Sequence, residues 1–599
     1  MMQYFKTILN MNLTLTVLIL IVSTLCSLAF YSKWMNKWEG IIQHPKSEYD
    51  YIIVGAGTAG CVLASRLSSE SHASVLLIEA GGVPNWLSSV PLAAPLLQGS
   101  QSECDWAYRT LPQKHSSWGL KDQVSAWPRG RGLGGSGQIN YMVHSLGHPN
   151  DFKHWEENGA KGWGLSSMQT YLDKLEGSCM PTTCGIKNGI CHKTTEKMQS
   201  QTIPLNTVDP EEMKLADAFL NAGKELELPN GEIKFNLIQS TIHKGERWSS
   251  LHGYLLPALG QTNLEVLLNT AVSKVTVTRE AVTGVELDSG VRITARQEVV
   301  LSAGSINTPQ ILLRSGIGPR QHLDSLGIPV VSDLPVGMNL HDHMNMPLYV
   351  SIDAPYSVTI DKIKSVQQIW DYFFHGKGLF ATTAVLASAT LVPDAGLILF
   401  GLGSADEKIL KDIANYKSDT FQGLFPLSHN SSQEGFVLLA TCLTPQSRGR
   451  LWLNVSHLEG PPIIEPNYLS HSHDIPCMIK AINLAEKLVR TKAFQKLGAQ
   501  LHLPVLSECR NLIPDVRDLL YLECIIRTAA VTAYHPGGTC KMGSLQNNST
   551  VVDNLLRVHG VQGLRVMDAS ILPTPLSGHP NSVLIAMADR ASSFILNTP

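Results

Sequence analysis

The sequence predicts an α/β fold: a dinucleotide-binding domain first, then a second, α+β domain. Two observations carry this. Strand, glycine turn, helix and second strand follow one another between residues 50 and 79, and residues 346–530 change to amphipathic helices mixed with short strands. A length of 599 residues leaves room for two or three domains and a large core. With 47 basic and 50 acidic side chains, a net charge of -3 and no run of five like charges, the chain does not read as a nucleic-acid binder. Small-molecule partners are expected.

The first thirty residues stand apart. Leu13 to Phe30 carries no charge, with Lys6 before it and Lys33 and Lys37 after. Two readings stay open: an uncleaved membrane anchor, for which such a stretch is barely long enough, and a cleaved signal with Ser27 and Ala29 as the small residues of its cleavage site. The flanking lysines differ too little to orient a span. A mitochondrial presequence fits less well, because no arginine precedes Arg66. Asn430, Asn454 and Asn548 each open an Asn-x-Ser/Thr acceptor pattern, and Cys179, Cys184 and Cys191 crowd one segment with a spacing that matches no zinc site. Both features fit the secretory pathway, with a membrane-anchored or secreted product and a local disulfide whose pairing stays open. Residues 1–47 are therefore taken as anchor or signal plus linker.

Asp50 to Val54 is a short apolar run of the kind that forms a buried parallel strand. It leads into Gly55-Ala56-Gly57-Thr58-Ala59-Gly60, after which Cys61, Val62, Leu63, Ala64 and Leu67 continue at helical spacing. The glycines have separate tasks: Gly55 makes the tight turn, Gly57 admits a pyrophosphate close to backbone, and Gly60 lets helix pack on strand. The next strand, Ser74 to Ile78, ends at Glu79, where a ribose hydroxyl needs an acceptor. An acid there argues against a 2'-phosphate and favours FAD or NAD.

Trp127 to Asn140 holds five glycines and two arginines, suited to close approach of backbone to an anionic or flat ligand. A helix is expected around Asp151 to Glu157. Leu264–Leu268, Lys274–Thr278 and Gly284–Leu287 read as strands of a meander. Glu298 to Ala303 is a further apolar strand, and Gly304-Ser305-Ile306-Asn307-Thr308-Pro309-Gln310 starts a helix with Pro309 in its first turn, aimed at a ligand. Leu340-His341-Asp342-His343 is a poor metal-ligand set, and no metal is expected. In the second domain, a helix is expected over Ile475–Val489 and strands over Gly435–Ala440 and Gly449–Leu453.

Near the C-terminus, His535 lies in Ala533-Tyr534-His535-Pro536-Gly537-Gly538-Thr539, between a hydrophobic lead-in and a turn. Leu564 to Ser570 reads as a strand into a turn, and Ser577-Gly578-His579-Pro580-Asn581-Ser582-Val583 opens a helix. With these blocks, residues 48 to the end resemble one family, the glucose-methanol-choline (GMC) flavin oxidoreductases. The resemblance rests on Gly55–Gly60 with Glu79, Arg131-Gly132-Leu133-Gly134-Gly135-Ser136, Gly304–Gln310 with Gly316-Ile317-Gly318-Pro319, Ser447-Arg448-Gly449 and the two C-terminal blocks, in family order. It implies a Rossmann-like FAD-binding domain over 48–345 to which 533–599 returns, and a substrate-binding cap domain over 346–532. The cofactor set it implies is Gly55, Gly57, Thr58, Ala59, Gly60, Glu79, Arg131, Gly134, Gly135, Asn140, Val275, Asp568, Ala569, Asn581 and Val583.

The resemblance also implies oxidation of an alcohol carbon with hydride passing to the flavin. Such a step needs a base beside the hydroxyl, and His535 is the candidate. His579 holds the second catalytic position, where a hydrogen bond to the substrate oxygen suffices. Ser136 to Asn140 lacks the histidine through which some relatives hold FAD covalently, so non-covalent FAD is expected. Pro580 beside His579 departs from the choline-type pattern. A quinone-like acceptor is favoured over O2. The alternatives are a light-driven fatty-acid decarboxylase of the same family and a non-catalytic flavoprotein.

Overall fold

The computed structural model describes residues 40–597, with Thr24 and Trp38 before them, apart from 177–184, 188–189, 193–202, 208–212, 227–232 and 393. The Leu13–Phe30 stretch, Thr24 aside, and the side chains of Cys179, Cys184 and Cys191 fall outside the described residues. No helix among the described residues is long and apolar enough to cross a membrane.

The first sheet starts with β1 (Ile41–Ile42), β2 (Glu48–Val54), α1 (Thr58–Glu70) and β3 (Val75–Ile78). Ile52 to Val54 and all of β3 are buried, as the uninterrupted β-branched and leucine runs require. At the β2–α1 turn Gly55 has φ +99°, and a side chain there would meet Ser302 O at 2.6 Å. Gly60 sits against that turn, and a Cβ on it would lie 1.9 Å from Gly55 O. After β4 (Ile233–Leu237), which belongs to the second sheet, come β5 (Leu264–Leu267), β6 (Val272–Thr278), β7 (Ala281–Leu287), β8 (Arg292–Leu301) and α2 (Gly304–Arg314). Strand order is β1-β5-β3-β2-β8-β7-β6. β1, β5, β3, β2 and β8 run parallel, whereas β8, β7 and β6 form an antiparallel meander.

Two expectations need correction here. Leu264–Leu267 is not part of the meander; it is a parallel strand between Ile41–Ile42 and Val75–Ile78, with Leu264, Val266 and Leu267 buried. Pro309 lies in the second turn of α2, not the first. A proline there cannot donate to Ser305 O, and the Thr539 hydroxyl does so instead at 2.7 Å.

The second sheet is antiparallel. It contains β9 (Met344–Ser351), β10 (Val385–Leu391), β11 (Ala395–Phe400), β12 (Gly435–Cys442) and β13 (Gln500–His502), in the order β13-β9-β12-β11-β10-β4. Helices α3 (Val366–His375), α4 (Glu407–Ala414), α5 (Asp474–Val489) and α6 (Leu519–Ala529) accompany it, and β14 (Val531–Thr532) pairs with β9. The strand expected at 449–453 is Arg450–Trp452, outside this sheet and paired with Ile463–Glu465. Disulfides join Cys442 to Cys477 and Cys509 to Cys524.

The chain then returns to the first sheet. β15 (Leu564–Val566) adds to β8 in parallel, and α7 (Asn581–Leu596) packs along α1. A buried ion pair ties the two helices, Arg66 Nε to Asp589 Oδ1 at 2.7 Å.

Candidate active site

A cavity of about 660 Å³ lies between the two sheets. From the first sheet's side it is lined by Gly55, Gly57, Thr58, Ala59 and Glu79, and by Gly135 and Asn140 from the glycine loop. Asp568, Ala569 and Asn581 come from the returning segment. Asn345, Pro347, Val437 and Leu439 face it from β9 and β12 of the second sheet.

This half of the cavity fits a dinucleotide. A Cβ on Gly57 would meet nothing nearer than Ser302 O at 3.9 Å, and one on Gly304, with φ +85°, would meet nothing within 4 Å. Glycine therefore keeps backbone open at the starts of α1 and α2, where helix N-termini favour phosphate oxygens. The Glu79 carboxylate is buried and accepts the N–H groups of Ala56 (2.8 Å), Gly81 (2.9 Å) and Gly132 (3.0 Å). Burial pushes its pKa up while those donors oppose the rise. Three of about four acceptor positions are used, so Glu79 pins both glycine turns with one acceptor position to spare. Asp568 likewise accepts from the N–H of Gly304 and the hydroxyl of Thr308, fixing the start of α2. Asn581 Oδ1 accepts from Thr58 Oγ1 at 2.8 Å, which closes the C-terminal segment onto the first motif.

Five residues expected at the cofactor are not on the cavity wall. Gly60 lies behind it, in the packing contact already described. Gly134 gives its N–H to Ala56 O. Arg131 is exposed, its guanidinium 5.1 Å from the ring of Trp106. Val275 gives its N–H to Ser315 Oγ, and Val272, three residues earlier and across a register shift in the strand, lines the cavity. Val583 is buried in the helix interface, because Asn581 and Leu584 are the residues of α7 that face the cavity.

The two histidines meet on the cavity wall. His535 Nε2 lies 3.1 Å from His579 Nδ1, and His535 Nδ1 lies 3.3 Å from Nδ1 of His343, a residue that the sequence did not single out as catalytic. His343 Nε2 is 3.0 Å from Leu443 O. A carbonyl only accepts, so His343 carries its proton on Nε2 and offers a lone pair at Nδ1. His535 then carries its proton on Nδ1, which leaves Nε2 as the acceptor facing His579. Burial pushes all three pKa values down, His579 to about 4, and the mutual repulsion of the rings lowers His535 further. The trio is neutral near pH 7.

Asp342 holds this arrangement from behind. Its carboxylate accepts the N–H groups of His343 and His535, each at 2.8 Å, and the hydroxyls of Tyr468 and Thr532. The stretch 341–343 runs antiparallel beside 533–537, with Ala533 N–H on His343 O and Gly537 N–H on His341 O. Tyr534 has φ +64°, a left-handed conformation rare for an aromatic residue, and its carbonyl accepts from Arg129 Nη1 at 2.7 Å. Arg129, also missed from sequence, faces the cavity where Arg131 does not. Among the described residues, Cys442, His473 and Cys477 approach metal-ligand spacing, but the two sulfurs are bonded to each other and offer no thiolate.

The family model described as GMC oxidoreductase matches residues 49–345 with its N-terminal part and 445–588 with its C-terminal part. The Drosophila melanogaster protein named neither inactivation nor afterpotential protein G is 36% identical over 567 residues, covering 92% of this chain and 91% of that protein. An alcohol dehydrogenase [acceptor] of Pseudomonas putida is 33% identical, covering 92% of this chain and 96% of its own length. Among solved structures, a pyridoxine 4-oxidase superposes with a TM-score of 0.72 at 26% identity, over 91% of this chain and 98% of that one. Two matching halves, relatives aligned over nearly their full lengths and a cavity with a dinucleotide cradle establish that the chain belongs to the GMC oxidoreductases, enzymes that use FAD to oxidise alcohol groups.

Proposed function

We propose that this enzyme oxidises an apolar alcohol, with His535 as the base and His579 as its partner at the substrate oxygen. The observation that supports the reading is the His343–His535–His579 chain, which ends on the wall of a cavity whose second-sheet half is mostly apolar, Asn345, Tyr349 and Thr532 being its polar members. There Val385, Ile398, Phe400, Leu410, Val437 and Leu439 line it. The acids on the wall, Glu79, Asp568 and Glu459, do not come from that sheet. A quaternary ammonium or a sugar would lack the charge or the dense hydrogen bonding that it needs in such a half. Bound FAD supplies the hydride acceptor. The chain's own residues do the rest: with substrate bound, the His579 Nδ1–H turns from His535 Nε2 to the substrate oxygen, and the freed Nε2 takes the hydroxyl proton as the carbon gives up its hydride. The resulting imidazolium keeps its Nδ1–H on His343, beside the Asp342 carboxylate.

In this reading the cofactor contacts are Gly55, Gly57, Thr58, Ala59, Glu79, Gly135, Asn140, Asp568, Ala569 and Asn581. The domain division is 48–345 with 533–599 for FAD and 346–532 for substrate. A quinone-like acceptor is proposed over O2, in keeping with the acceptor-type name of the bacterial relative. The two disulfides and the uncharged N-terminal stretch support a secretory-route protein, anchored or secreted. Anaerobic mixing with a panel of alcohols tests the substrate class. Long-chain, aryl and isoprenoid alcohols should bleach the flavin, whereas bleaching by choline or glucose alone would overturn the reading.

A further inference from the structure

Helix α3 carries its apolar stripe on the wrong side for a water-soluble protein. Val366, Ile369, Trp370, Phe373 and Phe374 follow the i, i+3, i+4, i+7, i+8 pattern of one helix face, and all five are 42–78% exposed. The residues turned to the protein are the more polar ones. Gln368 Oε1 accepts the N–H of Leu379, and Tyr372 packs against Phe380. A surface helix normally buries such a stripe, and a monomer rarely exposes a patch of this kind without a partner.

From this we infer that α3 is an interfacial helix by which the enzyme lies on a lipid bilayer. Three features favour lipid as the occupant. The stripe is aromatic, with Trp370 stacked on Phe374 at 4.0 Å between ring centroids, and exposed Lys364 and Lys377 bracket it, the composition of a helix lying at a membrane interface. The same chain carries the uncharged Leu13–Phe30 stretch, for which a membrane anchor is one of the two readings given above. The patch is also continuous with the cavity wall. The turn Leu379–Ala381 packs on Pro91–Leu97, which packs on α4, whose Leu410 and Ile413 line the cavity. Trp86 and Leu96, both at least half exposed, extend the apolar surface along that path. The enzyme thus takes an alcohol dissolved in the membrane, a consequence that rests on the function proposed above; the docking face itself does not.

Hydrogen–deuterium exchange on the full-length, FAD-loaded protein tests this, with and without vesicles of phosphatidylcholine and phosphatidylserine. Peptides covering 366–375 should exchange about fivefold more slowly with vesicles, while peptides from β7 do not change. Trp370→Glu with Phe374→Glu, confirmed as folded by an unaltered flavin spectrum, should abolish the difference. Equal exchange of wild-type protein with and without vesicles would overturn the inference. So would protection already present without vesicles, whether lost on dilution, which marks a second copy, or lost on deleting residues 1–37, which marks the chain's own N-terminal segment. Flavin reduction by a short water-soluble alcohol is read on the same samples. Reduction without vesicle protection overturns the docking face alone; protection without reduction by any alcohol overturns the proposed function alone.

Discussion

The role proposed for His535 as base rests on what its other nitrogen does. Leu443 O fixes the proton of His343 on Nε2, which fixes that of His535 on Nδ1 and leaves its Nε2 lone pair facing His579. His343→Asn should lower kcat by about 10- to 100-fold, the range seen when a residue that orients an active ligand is removed, with KM little changed. The sign of the pH dependence follows from the shifts. His535 must be neutral to act, and its pKa lies well below the ordinary histidine value, so kcat/KM should hold as pH falls through about 6.5 and drop only in more acid solution. His343 is one cause of that lowering, so His343→Asn should move the acid limb to higher pH; a limb at unchanged pH would contradict the relay. His535 and His579 could be singled out as candidates in sequence because each sits in its own block of turn residues. His343 and Arg129 were not. The Leu-His-Asp-His run has no local feature that marks it, and its meaning comes only from pairing with 533–537, almost two hundred residues later.

At the level of elements, the strand–glycine–helix unit at 48–79 could be read directly, since its burial pattern and its glycines have local causes. The meander, the position of Pro309 and the Val275 assignment could not, because each depends on a neighbour distant in sequence. Leu264–Leu267 looks like any short apolar run until β1 and β3 flank it, and Val275 differs from Val272 only in which one faces the cavity. Pro309 is tolerated inside α2 because Thr539, from the block that carries His535, satisfies Ser305 O. Thr539→Val removes that donor from a fully buried site. It should cost about 1–3 kcal/mol of stability, seen as a lower thermal midpoint of the holoprotein, with flavin reduction nearly unchanged at moderate temperature.

For the molecule as a whole, the division into a parallel nucleotide sheet and an antiparallel second sheet was visible as a change of texture. Its edges were not, because β4 and β14 join the second sheet by pairings between distant segments. The C-terminal return is what assembles the site: β15 extends the first sheet, Asn581 bonds Thr58, and His535 and His579 reach the same wall. Ser136, Ile139 and Asn140, which line the cavity from the glycine loop, include no histidine. FAD should therefore leave with the supernatant on acid precipitation; yellow colour retained by the pellet would contradict non-covalent binding. The most direct test of the central claim is the anaerobic rate of flavin reduction by a long-chain alcohol in the FAD-loaded His535→Ala variant. Loss of a positioned base predicts a fall of about 10²- to 10⁴-fold against wild type at unchanged FAD content, and a rate within twofold of wild type would show that His535 is not the base.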